Sequence, residues 1–196
     1  MKYEEITSEN SFWKLFKLTW QIPAAKDTKY AFFLFLTVLL SYYWFSKERL
    51  VSVEALILNV AEGIVSATIS LIGFIFAAYI VFANLADRKL MHLMATNKHP
   101  KYNMSFLKYG HCNFIKIMFD LLIIVFLTYI GIIFVPTLPK FNDIDSNSLR
   151  LLYIFILAMY QSFYILIIML CKSAIFNVYN SIMVGVRFYA EEQENK

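Results

Sequence analysis

Six residues with small or polar side chains recur along one stretch of this chain: Asn59, Gly63, Ser66, Ser70, Gly73 and Ala77. Their 4-3-4-3-4 spacing places them on a single stripe of a helix. Glu62 lies beside the stripe, and Glu54 lies two turns before it. Small residues let helix backbones approach closely, and Ser or Asn can bond across the contact. Carboxylates repeated around a symmetry axis form rings that draw in cations. The chemistry on offer is therefore packing and ion attraction rather than bond making. Two readings of the stripe stand together: a contact inside the chain's own bundle, or the axis of a homo-oligomer. Glu54 and Glu62 are open in the same way, as a cation-attracting ring or as carboxylates reaching an external headgroup region.

Three further polar groups fall inside apolar stretches, where each costs free energy unless it is partnered. Lys116 and Asp120 are one helical turn apart, so the lysine can neutralise the carboxylate while snorkelling towards water. Gln161 is a candidate for an interhelical hydrogen bond to Ser66, Thr68 or Ser70. His92, His99, His111 and Cys112 share one segment, but no tight pair such as CxxC or HxxxH and no nearby acidic ligand accompanies them, so no metal site is expected. No Walker sequence, GxSxG, HExxH or pair of catalytic carboxylates occurs. The expectation is a non-enzymatic protein without cofactors.

The elements that must carry these residues follow from composition. Of 196 residues, 60% are hydrophobic and 16% charged, against about 45–50% and 25% in soluble proteins. That is the composition of a membrane protein. A net charge of +4 is too small for a nucleic-acid-binding domain, so no direct nucleic-acid binding is expected. Two cysteines exclude a disulfide framework. Four segments are apolar enough to span a hydrocarbon core about 30 Å thick: residues 31–46, 64–84, 117–135 (stopped by Pro136) and 151–171. The second pattern begins near Val53, so a continuous helix to Ala86 would be about 50 Å long and must tilt or project. The fold class is thus all-α: four transmembrane helices and an N-terminal interfacial amphipathic helix. That last element rests on Trp13, Phe16 and Trp20 on one helical face, with Lys14, Lys17 and Gln21 on another. Packing of these aromatics on the protein's own cytosolic loop is the other reading.

Lys and Arg counts set the orientation. Lys2, Lys14, Lys17, Lys26 and Lys29 precede the first span, and Arg88, Lys89, Lys98, Lys101 and Lys108 lie between the second and third. Lys47 and Arg49 lie in the first connection, and Lys140 and Arg150 in the third. Both termini and the central loop are expected in the cytoplasm. The chain then divides into a cytosolic segment at 1–30 with no cleavable signal peptide, a four-span domain at 31–175 with a cytosolic loop at about 87–112, and a cytosolic tail at 176–196. The five cations of that loop either touch anionic lipid or dock a cytosolic partner, together with the acidic tail residues Glu191, Glu192 and Glu194.

The lysine-bearing N-terminus, the short-loop spans, the long second helix SLIGFIFAAYIVFANLADRKL and the basic central loop together resemble the small four-span membrane proteins of bacterial anti-phage defence operons. The layout is most similar to the membrane subunit of the Kiwa system. That resemblance implies a homotetramer of the bacterial inner membrane that senses phage attachment or membrane disturbance and works with a cytosolic effector encoded nearby. It carries no catalytic residues over. A second resemblance is to the small membrane accessory proteins of RNA-targeting CRISPR systems, thought to act on membrane integrity. From the residues themselves, the alternative to a sensor is a homo-oligomeric ion channel, lined by the Asn59–Ala77 stripe and narrowed at Ile80, Val81 and Phe82.

Overall fold

A computed structural model describes residues 10–46, 53–85, 88–141 and 147–194. The protein is all-α, and the described residues hold no strand, only an isolated bridge between Lys98 and Ser105. Among the described residues six α-helices follow in order: α1 (Phe12–Trp20), α2 (Lys26–Ser46), α3 (Val53–Leu85), α4 (Arg88–Thr96), α5 (Phe106–Phe134) and α6 (Asn147–Glu194). Ser11 caps α1, its hydroxyl accepting the Lys14 N–H at 3.4 Å. The Asp27 carboxylate accepts the Thr28 N–H at 2.9 Å, where the helix N-terminus favours negative charge. Pro136 ends α5 as expected, within a 3-10 turn at Val135–Thr137, because its ring cannot continue the hydrogen-bond ladder.

Among the described residues, three helical segments are long and apolar enough to cross a membrane: Val53–Val81, Phe106–Thr137 and Asn147–Glu191. They carry the expected second, third and fourth spans. The first expected span, 31–46, lies in α2, which has 21 residues but falls outside this set. Lys26, Asp27 and Lys29 occupy its first turns and Ser41, Tyr42, Tyr43 and Trp44 its last, leaving a short apolar centre.

Two other elements differ from the sequence reading. The segment 87–112, expected as a loop, contains α4 and the first turns of α5; in RKLMHLMAT, Leu90 and Ala95 are buried with Met91 and Met94 half-buried between them. The segment 176–196, expected as a separate tail, is helical to Glu194 as part of α6. A 48-residue helix is about 72 Å long.

The chain forms two compact units, and α3, α5 and α6 contribute to both. In the unit made of residues 24–71 and 121–171, the core is Val53, Ile57, Ala61 and Ile64 of α3, Leu121 and Ile124 of α5, and Tyr153, Leu157 and Ala158 of α6. Three tyrosines of α6 carry hydroxyls into it, and each donates to a main-chain carbonyl: Tyr153 to Pro139 at 2.8 Å, Tyr160 to Leu127 at 3.3 Å, and Tyr164 to Val60 at 3.3 Å. A buried phenol keeps its apolar ring contact and satisfies its polar tip in this way. Two glycines make room: the Tyr160 hydroxyl occupies the space a Cβ at Gly131 would need, and the Tyr164 hydroxyl does the same at Gly63.

In the unit made of residues up to 23, 72–120 and from 172 onward, Phe12 and Phe16 of α1 pack on Phe119 of α5, with ring centroids 5.1 and 5.3 Å apart. Residues 97–106 close on themselves. The His99 N–H donates to the Met104 carbonyl at 2.8 Å and the Phe106 N–H to the Asn97 carbonyl at 3.0 Å. His99 then sits among Tyr102, Phe106 and Tyr109 at 5.0, 5.1 and 4.3 Å.

Candidate functional site

The small-residue stripe of α3 turns away from the protein core. Asn59, Glu62, Ser66, Ser70, Gly73 and Ala77 are all exposed, while Ile57, Ala61, Ile64, Val65, Thr68 and Ile75 are buried. Ser66 and Ile64, Ser70 and Thr68, and Gly73 and Ile75 are each two positions apart, about 200° around a helix that turns 100° per residue. Stripe and buried face are therefore opposite sides of one helix. These six residues therefore lie away from the buried contacts that α3 makes within the chain. Gly63 is the exception. It is half-buried, and its missing side chain admits Tyr164. At Gly73 nothing lies within 4 Å of a Cβ. The Ser70 hydroxyl donates to its own helix at the Ser66 carbonyl, 2.9 Å away, so the stripe is polar without leaving that donor unsatisfied.

The two glutamates separate. Glu62 is exposed on the stripe side, whereas the Glu54 carboxylate accepts the backbone N–H of Phe141. Glu54 is thereby bound to the chain's own connection after α5.

Lys116 and Asp120 form the expected ion pair, but the lysine does not snorkel. It is 9% exposed, with its Nζ 4.7 Å from the ring centroid of Trp20. The indole face stands in for water above the ammonium. Among the N-terminal aromatics, Phe12, Phe16 and Trp20 meet Phe119 and Lys116 of α5, outside the loop at 87–112, while Trp13 is 74% exposed. Gln161 also finds a different partner. Its Oε1 accepts the Tyr43 hydroxyl of α2 at 2.7 Å, and Thr68 instead donates to its own helix at Ile64, 2.6 Å away. Tyr43 is 6% exposed, whereas its neighbours Tyr42 and Trp44 remain exposed.

Arg88, Lys89, Lys98 and Lys101 are exposed and Lys108 is half-buried. His111 Nδ1 lies 3.1 Å from the Tyr79 hydroxyl, and His99 is in its aromatic cluster. Among the described residues no three His, Cys, Asp or Glu groups converge on a metal position.

Sequence reading missed the tyrosine ladder, Trp20 over Lys116, and a cavity walled by α4, α5 and α6, where Asn113 Nδ2 donates to Asn177 Oδ1 at 3.1 Å. The 7 and 4 residue intervals of Tyr153, Tyr160 and Tyr164 are the one pattern that pointed to a shared inward face. No family model matches the chain, and no curated protein or solved structure matches it either.

Proposed function

We propose that this protein is a non-enzymatic, homo-oligomeric membrane sensor and scaffold of the bacterial inner membrane, in which copies meet through the outward stripe of α3. The observation that carries the reading is the position of Ser66, Ser70, Gly73 and Ala77 opposite the buried face of their helix. Lipid tails supply no hydrophobic drive for helices to associate, so close packing and polar contacts must do so. A small, hydroxyl-bearing face suits a second helix better than it suits disordered chains. A closed ring follows from one repeated contact, and a tetramer is the size implied by the resemblance to the Kiwa membrane subunit.

In this reading α2 is the fourth span, α1 lies in the cytoplasmic headgroup region through Trp13, and both termini are cytoplasmic. The basic residues Arg88, Lys89, Lys98, Lys101 and Lys108 and the end of α6 then offer an inner surface to a cytosolic effector encoded nearby, in anti-phage defence. The second reading is an ion-conducting pore about the same axis. Glu62, exposed on the stripe side, favours it by supplying one carboxylate per subunit at the outer mouth.

Disulfide trapping in membranes tests the shared premise. In a background with Cys112 and Cys171 replaced by serine, Ser70→Cys should form dimers under mild oxidation, and Thr68→Cys, on the buried face, should not. Equal trapping at both positions, or none at Ser70→Cys, would overturn it.

A further inference from the structure

The cavity walled by α4, the first turns of α5 and the last third of α6 has a volume of about 490 Å³, within the range of about 300–1,000 Å³ typical of ligand sites. All its lining residues belong to one compact unit. The walls are mostly apolar, with Leu90 and Met94 from α4, Phe114 from α5, and Phe176 and Val184 from α6. A polar strip runs along one side of it: Asn177, Asn180 and Ser181 of α6, with Asn113 bonded to Asn177.

Basic residues flank two of the segments that line the cavity. α4 begins with Arg88 and Lys89, both exposed, and contains no acidic residue. Lys108 immediately precedes the lining residue Tyr109. On α6, Glu191 is bound by Arg187 at 2.7 Å, and Glu194 lies at the helix end. Beyond Ala174, α6 has no buried residue among those described, although it carries Phe176, Ile182, Val184 and Val186 exposed. An apolar helix left that bare needs cover.

We propose that this cavity binds one anionic phospholipid. An acyl chain lies along Phe114, Phe176 and Val184, the glycerol ester meets Asn177, Asn180 and Ser181, and the phosphate is drawn by Arg88 and Lys89. Two of its walls come from α5 and α6, helices long and apolar enough to cross a membrane, so lipid is the apolar molecule present at the highest concentration. The proposal rests on the membrane reading above and is independent of whether copies associate.

Gly185 allows a direct test, because it lines the cavity and a Cβ there meets nothing within 4 Å. A Gly185→Phe side chain would start from that open position and occupy part of the cavity. The full chain, in nanodiscs of mixed phosphatidylglycerol and phosphatidylethanolamine, is released for native mass spectrometry under activation that strips bulk lipid. Wild type should retain one phosphatidylglycerol per chain. Gly185→Phe should lower that occupancy about tenfold, and Arg88→Gln with Lys89→Gln should lower it about threefold and abolish the preference over phosphatidylethanolamine. Should Gly185→Phe not reach the wild-type melting temperature, a diazirine-tailed phosphatidylglycerol on the wild-type chain decides, with labelling expected at residues 106–114 and 176–189. No retained lipid, equal retention by Gly185→Phe, labelling spread evenly over the long helices, or a second copy crosslinked in the cavity would overturn the proposal. The same spectra report the number of chains per particle, so loss of the lipid reading and loss of the oligomer reading are separately visible.

Discussion

The hydroxyl of Tyr160 lies in the space that any side chain at Gly131 would require, within reach of the carbonyls of Leu127 at 3.3 Å and Thr128 at 3.4 Å. An inward-facing glycine and a tyrosine from another helix thus define one contact. Gly→Ala in a helix is ordinarily stabilising by up to about 1 kcal/mol. At residue 131 the sign should reverse, with a loss of about 1–3 kcal/mol from overpacking, while Gly73→Ala, facing open space, should be neutral or stabilising. Tyr160→Phe should recover only part of the Gly131→Ala loss, since the ring Cζ is 2.6 Å from the Cβ position. Thermal unfolding in detergent reads all three.

The Lys116–Asp120 pair gives a second test. Removing one partner of a buried ion pair leaves the other charge uncompensated, at a cost of about 3–5 kcal/mol. Lys116→Met should approach that loss, tempered by the partial exposure of Asp120, and Lys116→Met with Asp120→Leu should recover most of it. Trp20→Ala should cost about 0.5–2 kcal/mol and increase proteolytic cleavage within α1. Equal stability of the single and double variants would mean that the charges do not depend on each other.

Topology separates three spans from four. A reporter active only in the cytoplasm should be active when inserted near Lys98 or fused after Lys196, and inactive near Asn142. Fused ahead of Asn10, it should be active if α2 crosses the membrane. An inactive N-terminal fusion alongside the other three results would leave three spans and place α2 outside the bilayer.

What was legible in the sequence followed from periodicity and from residues that act along one helix. The apolar runs of α3, α5 and α6, the stop at Pro136 and the i, i+4 pairing of Lys116 with Asp120 all depend on neighbours three or four positions away. What was not legible depends on packing between elements. Gln161 had several polar residues within plausible reach, and only the direction in which α2 packs selects Tyr43 over Ser66 or Ser70. The expected fourth span ends at Cys171, where Lys172 follows, but a single lysine does not stop a helix. With neither proline nor a glycine break before Gly185, α6 runs on. Sequence spacing defined the α3 stripe without saying which way it faces, because a stripe has no direction until the opposite side, Ile64, Thr68 and Ile75, is seen to be buried.

The central claim is that this outward stripe joins copies of the chain, and Gly73 tests it most directly because a Cβ there meets nothing within 4 Å in its own subunit. Native mass spectrometry from detergent and from nanodiscs should show a homo-oligomer for wild type and for Ile72→Leu. Gly73→Leu should shift the distribution to monomer with an unchanged monomer melting temperature. A wild-type monomer in both media, or equal assembly of the two variants, would contradict the claim.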